Sequence, residues 1–267
     1  MGAASTLPCR LLPDMSHAPR TYSTFDKMGK LMRQWEEHVW TDDQVEKFWD
    51  WAAERSPDIY FSFGASKTIV RRYQSYFKNK KVVLDYGCGT GFFLRELAKL
   101  NNTLIGVEFS PKSVSVCRTF LEEAGVEAKI LHIDETATLK AEVDIISVLE
   151  VVEHLYDDRL EELLVNCNRM LRPGGLLFLT TPNEEDLRER QVLCPVSGKV
   201  FHRWQHVRSW SSKTLSDFIV PFGFSIVRAD KTNLSSSWLM QARIRIGRLR
   251  NRAFGRNNLV LIARKTE

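Results

Sequence analysis

From Lys81 onward, short apolar runs alternate with longer stretches whose apolar residues recur every three or four positions. Residues 82–85, 103–108, 128–132, 143–149 and 176–181 form the short runs and read as buried strands. Residues 92–100, 111–124 and 156–171 carry helical spacing between them. Arg172-Pro173-Gly174-Gly175 and Pro221-Phe222-Gly223-Phe224 punctuate the pattern as turns. Further runs at 225–229 and 258–264 close it. Such alternation predicts an α/β fold, a doubly wound sheet with helices on both faces.

Upstream, the spacing predicts helices over 27–38 and 43–55, the second entered through the N-cap signal Thr41-Asp42-Asp43. Trp35, Trp40, Phe48, Trp49 and Trp51 crowd this stretch, and Tyr60-Phe61-Ser62-Phe63 follows. Two readings stand: a helical cap packed on the core, or a lid that excludes water from a reaction. The expected organisation is a disordered leader at 1–24, a helical cap at 25–78 and the α/β domain at 79–267.

Composition narrows the class. Hydrophobic residues at 43% and charged residues at 27% suit a globular chain. No apolar run reaches the roughly 18 residues of a membrane span, and no secretory core opens the chain. Cysteines at 9, 88, 117, 167 and 194 share no pair spacing, so a reducing, cytoplasmic setting is expected. Met1-Gly2-Ala3-Ala4-Ser5-Thr6 matches the bare N-myristoylation pattern.

The chemistry begins at the end of the first strand. Asp85-Tyr86-Gly87-Cys88-Gly89-Thr90-Gly91 places three glycines at alternate positions between a strand and a helix. Strand–glycine loop–helix units are how open α/β sheets make nucleotide sites. A dinucleotide fingerprint would need glycine at 92, where Phe92 stands. The D-x-G-x-G-x-G spacing instead resembles motif I of class I S-adenosylmethionine-dependent methyltransferases. The resemblance covers roughly residues 60–267 and implies the strand order 3-2-1-4-5-7-6. It implies that Asp85 and the loop N–H groups of Gly87, Cys88, Gly89 and Gly91 meet the zwitterionic end of S-adenosylmethionine. Glu108, closing the second strand, would accept from the ribose hydroxyls. Asp134, after the third, would lie near the adenine amino group. Phe109 and Leu149 complete the expected cofactor contacts.

Ser147-Val148-Leu149-Glu150-Val151-Val152-Glu153-His154, ending the fourth strand, resembles the ubiquinone-pathway O-methyltransferases, as does Thr181-Pro182-Asn183. If the backbone turns helical after Glu150, then Glu150, Glu153 and His154 share one face. His154 is then a candidate general base, with Glu150 beside it. The resemblance also implies Mg²⁺ or Zn²⁺ held by Glu150, Glu153 and His154. A third reading leaves them lining the crevice. An insertion at 191–210 carries Cys194, His202 and His206. Ser197 breaks a Cys-x2-Cys pair, so a closed four-ligand zinc site is not supplied. His206, four residues before Trp210-Ser211, resembles an acceptor-contact position of small-molecule methyltransferases.

Residues 235–256 predict an inserted helix whose apolar stripe opposes six arginines with no acid among them. Against a net charge of +5, this concentrates the basicity of the chain in one segment. Core packing, peripheral contact with an anionic membrane and binding of an anionic partner all suit it. The sequence thus points to a methyltransferase acting on a small-molecule or lipid-linked acceptor, with a hydroxyl as first choice. Sugar or glycan methylation, RNA methylation and an inactive cofactor-binding scaffold are the alternatives. Sparse aromatics beside the arginines weigh against nucleic acid. The oligomeric state and the acceptor's identity are not legible.

Overall fold

The computed structural model describes residues 35–234 and 257–266. The leader with its lipidation pattern, most of the 27–38 helix and the basic segment 235–256 lie outside the described residues. The chain divides into two units.

The smaller unit contains residues 35–39 and the hairpin segment 192–201. Glu37 bridges to Val200 in parallel, and the His38 N–H donates to the Val200 carbonyl at 2.8 Å. Extended pairing therefore replaces helix at the described end of the expected 27–38 helix. Cys194 sits in the hairpin turn, where its N–H donates to the Lys199 carbonyl and its own carbonyl accepts from the Gly198 N–H.

The larger unit holds the α/β domain. Its elements run α1 (Asp42–Arg55), α2 (Phe61–Phe77), β1 (Val82–Tyr86), α3 (Phe92–Leu97), β2 (Thr103–Glu108), α4 (Pro111–Glu123), β3 (Lys129–His132) and β4 (Val143–Leu149). After them come α5 (Asp157–Met170), β5 (Leu171–Pro182), α6 (Ser212–Ile219), β8 (Phe224–Thr232) and β9 (Asn258–Lys265), while all but the end residues of the hairpin strands β6 (Gln191–Leu193) and β7 (Val200–His202) belong to the smaller unit. The main sheet has the order β3-β2-β1-β4-β5-β9-β8, parallel except for the antiparallel β9 contacts. This is the expected seven-stranded order, with β8 and β9 as the closing pair.

β4 is buried at every position, as a central parallel strand covered on both faces must be. Its one acid, Asp144, accepts the Val82 N–H at 2.8 Å and pairs with Arg172 at 2.5 Å. β5 starts earlier than expected: Val143 pairs with Leu171, then Ile145 pairs with Leu176. The Pro-Gly-Gly turn is thus a bulge inside the ladder. Two apolar clusters form the core, one containing Leu84, Ile146 and Leu177, the other Val83, Ile145 and Phe178. Adjacent strand residues fall in opposite clusters because side chains alternate across a sheet. α1 opens with the expected cap: Thr41 and Gln44 form a capping box.

Candidate active site

The glycine loop folds tightly because its residues permit it. Gly87 and Gly89 have φ of 77° and 53°, left-handed values that side chains disfavour. The N–H groups of Gly87 and Cys88 both donate to the Val107 carbonyl, at 2.8 and 3.1 Å, tying the loop to β2. A Cβ at Gly87 would lie 2.6 Å from Val151 Cγ2, and one at Gly89 would lie 2.6 Å from the Tyr60 ring. Glu108 braces the turn from below: Oε2 accepts the Gly89 N–H at 2.8 Å, and Oε1 accepts those of Phe109 and Ser110 at 2.8 and 3.0 Å. Its carboxyl is pushed up by burial against the opposing pull of those bonds.

Asp85 is 2% exposed and accepts one hydrogen bond from Ser147 Oγ, at 2.7 Å. Burial pushes its carboxyl to about 7. No described cation contributes to its environment. A buried acid on a cavity wall with no cation beside it fits an ammonium group.

A cavity of about 1560 Å³ joins this loop to the acceptor-side residues. Asp85, Gly87, Glu108, Phe109, Asp134 and Leu149 line it, together with Trp49, Tyr60, Glu150, His154, Glu185 and His206. Cys88, Gly89 and Gly91 are not on its wall. Cys88 is buried in the core, Tyr60 covers Gly89, and Gly91 faces Cys117 and Leu121 of α4. Those three shape the loop rather than its surface. Asp134 is exposed and pairs with His132 Nδ1 at 3.3 Å.

Trp49 and Tyr60 carry no motif, and the chain alone showed only that aromatics cluster there. Tyr60 is held by Ser113 Oγ at 2.9 Å, and its ring packs on Trp49 with centroids 5.4 Å apart. Asp50 of α1 accepts from Ser110 Oγ at 2.5 Å, fastening the aromatic segment to the loop after β2.

The expected helical face after Glu150 does not form. Glu150 itself takes φ of 51°, a turn follows, and α5 begins only at Asp157. The left-handed residue sends the chain away from a helical path. Glu150 lies instead beside Asn258, whose Nδ2 donates to Oε1 at 3.4 Å, and burial raises its carboxyl to about 8. Glu153 is 1% exposed; Thr181 Oγ1 donates to its Oε2 at 3.1 Å, while Oε1 has no hydrogen-bond partner. His154 stands edge-on to Trp49 and His206, at centroid distances of 5.3 and 4.8 Å, and its Nδ1 has no partner. Burial, then the neighbouring His206, drives its imidazole down to about 3.

His206 arrives from far along the chain. Gln205 Nε2 donates to the His154 carbonyl at 2.9 Å, the Val207 N–H donates to the Glu153 carbonyl at 2.9 Å, and Trp210 Nε1 donates to the Val152 carbonyl at 3.3 Å. These bonds dock the 205–210 loop on the turn after β4. Glu185, two residues beyond Thr-Pro-Asn, lies 2.5 Å from His206 Nδ1. Among the described residues, two groups bring metal-ligating atoms together: Glu153, His154 and His206, and Glu185, His202 and His206. Neither contains Glu150, so the expected set Glu150–Glu153–His154 is not one of them.

A family model described as a methyltransferase domain matches residues 60–229, more than half of the chain. The chain belongs to this methyltransferase family. The ubiquinone biosynthesis O-methyltransferase of Rhizobium etli is 34% identical over 103 residues, 38% of this chain and 41% of that protein. The corresponding protein of Rhizobium johnstonii is 33% identical over 161 residues, 57% of this chain and 62% of its own length. The chain therefore spans between about two fifths and three fifths of these curated relatives. Among solved structures, an S-adenosylmethionine-dependent methyltransferase from Archaeoglobus fulgidus shares the fold at a TM-score of 0.56 and 22% identity, covering 82% of this chain and 99% of that one. Membership of the methyltransferase family makes S-adenosylmethionine the expected cofactor, and the Asp85–Gly87–Glu108 cradle fits it. No described helix is long and apolar enough to cross a membrane.

Proposed function

We propose that this methyltransferase moves the sulfonium methyl group to a hydroxyl of a small-molecule or lipid-linked acceptor. The observation that carries the proposal is the cavity walled both by the glycine-loop cradle and by His154 and His206. The named ubiquinone O-methyltransferase relatives support oxygen as the target atom.

S-adenosylmethionine, when bound, supplies an electrophilic methyl group on a sulfonium centre. Asp85 would hold its ammonium group, the fixed Gly87 turn would let the backbone approach, and Trp49 and Tyr60 would limit water. Positioning accounts for most of the rate in such a transfer. An acceptor hydroxyl must also lose its proton. His154, held near 3, stays neutral and is a weak base. His206 is lowered by burial but sustained by Glu185, and is the better base.

A second reading rests on the unpartnered Glu153 Oε1 and His154 Nδ1 beside His206. One carboxylate and two imidazoles suit zinc better than magnesium, which prefers an all-oxygen shell. In this reading Glu153, His154 and His206 would hold the ion, which would lower the acceptor hydroxyl pKa. Elemental analysis of the purified protein decides it: zinc near one equivalent, lost in Glu153→Gln, supports the ion, and metal-free active protein refutes it.

Purified protein incubated with isotopically labelled S-adenosylmethionine and a fractionated small-molecule and lipid extract tests the main proposal. A labelled methyl ether identified by NMR is expected. Label found only on nitrogen, carbon or RNA overturns oxygen transfer.

A further inference from the structure

Glu185 belongs to no motif, yet it lies at the centre of a histidine pair. Asn183 bridges to Trp210, and the Glu184 N–H donates to the Trp210 carbonyl at 2.8 Å. The segment after β5 is thereby zipped to the loop that carries His206, with Glu185 one residue beyond. Its Oε2 is 2.5 Å from His206 Nδ1, and its Oε1 is 3.6 Å from His202 Nε2.

His202 supplies the constraint that fixes the protons. Its side chain is 2% exposed, and its ring stacks on His206 at a centroid distance of 4.3 Å and an angle of 25°. Its Nδ1 accepts the backbone N–H of His206 at 3.2 Å. A neutral imidazole has one donor and one acceptor nitrogen, so the His202 proton sits on Nε2, facing Glu185. With Nδ1 accepting from the His206 N–H, Nε2 of His202 carries the proton and is not a metal ligand, although Glu185, His202 and His206 are close enough to suggest one, and that Nε2 has no hydrogen-bond partner of its own. An ionised carboxylate only accepts. Facing Glu185, His206 must then carry its proton on Nδ1, which leaves the Nε2 lone pair for the cavity.

We propose that Glu185 is the positioning residue that locks His206 as the Nδ1–H tautomer, with the buried His202 ring stacked on His206. The proposal rests on the reading of His206 as the group that meets the acceptor. The same logic orients imidazoles wherever a carboxylate backs a base or a metal ligand. Burial alone would raise the Glu185 carboxyl, but His202 and His206 outweigh it and hold it near 2, so it is ionised across the working range. The charged and titratable groups around His206 are Glu185, His202, His154, Glu153 and Arg190.

The test is ¹⁵N–¹H NMR of histidine-labelled protein loaded with S-adenosylhomocysteine, comparing wild type, Glu185→Gln and Glu185→Ala. Wild-type His206 should show the Nδ1–H pattern. Glu185→Gln should keep that tautomer through its amide oxygen. Glu185→Ala should lose the tautomer preference. Calorimetry should give the same S-adenosylhomocysteine affinity for all three. A wild-type Nε2–H pattern overturns the proposal. With catechol as probe acceptor, kcat should fall at least tenfold in Glu185→Ala while KM for S-adenosylmethionine holds. Turnover equal to wild type would overturn the positioning role. Absence of methyl transfer to any hydroxyl would sink the function proposed above, and the NMR result would still decide the tautomer.

Discussion

The donor and acceptor ends of the cavity are built in opposite ways. The donor end is local: Asp85, Gly87 and the loop that leads into α3 lie within ten residues, and Glu108 is one strand away. The acceptor end is assembled from three distant pieces, the turn at 150–154, Glu185 after β5 and the 202–206 loop. A local site is specified by which backbone angles its residues allow. An assembled site is specified by long-range hydrogen bonds, and it can change partners without changing the fold. The difference explains why the donor is identified by family and geometry together, while the acceptor is still a proposal.

Breaking the donor end should have the largest effect. Gly89→Arg combines a left-handed backbone with a Cβ 2.6 Å from the Tyr60 ring, so S-adenosylmethionine binding should fall below detection by calorimetry. Unchanged affinity would mean the loop is not the cradle. At the acceptor end, His206→Ala should lower kcat by about 10²–10⁴-fold, the usual contribution of a general base, with cofactor affinity retained. His154→Ala should cost less, because an imidazole held near 3 is a poor base. The reverse order would return the base role to His154.

Acid–base behaviour sharpens the comparison further. The ammonium group needs Asp85 ionised, and its carboxyl sits near 7 in the protein without cofactor. Affinity should therefore drop about tenfold per pH unit below 7 and level off above it. Asp85→Asn should bind weakly and flatten that profile. Stability runs the other way. An acid raised from 3.8 to about 7 binds more protons folded than unfolded, so stability is lost as pH rises through that window. Asp85→Asn should raise the melting temperature of the cofactor-free protein at pH 8, by removing its share of this cost. The smallest effect belongs to the aromatic cap. Thr41→Ala breaks the capping box of α1 and should cost about 1 kcal/mol of stability by denaturant titration.

Much of the fold was legible because its signals are short-range. β2 and β4 fall at their expected bounds, and the other strands of the parallel region differ at their ends. β5 differs because pairing with β4 resumes on both sides of a turn that, in isolation, ends a strand. The helix expected after Glu150 failed because that residue adopts a left-handed angle, which spacing cannot reveal. Glu185 was passed over because a lone carboxylate after Thr-Pro-Asn has no local partner.

Alternation and glycine spacing by themselves determined a doubly wound sheet and a loop shaped for a nucleotide-like donor. Both follow from backbone preferences that act over a few residues. Only the tertiary structure decided which side chains share the acceptor end. It placed His206 against His154, set Glu185 behind His206, and put Glu150 on a left-handed turn beside Asn258. Side chains this far apart in sequence meet only when the strands that carry them are ordered and paired.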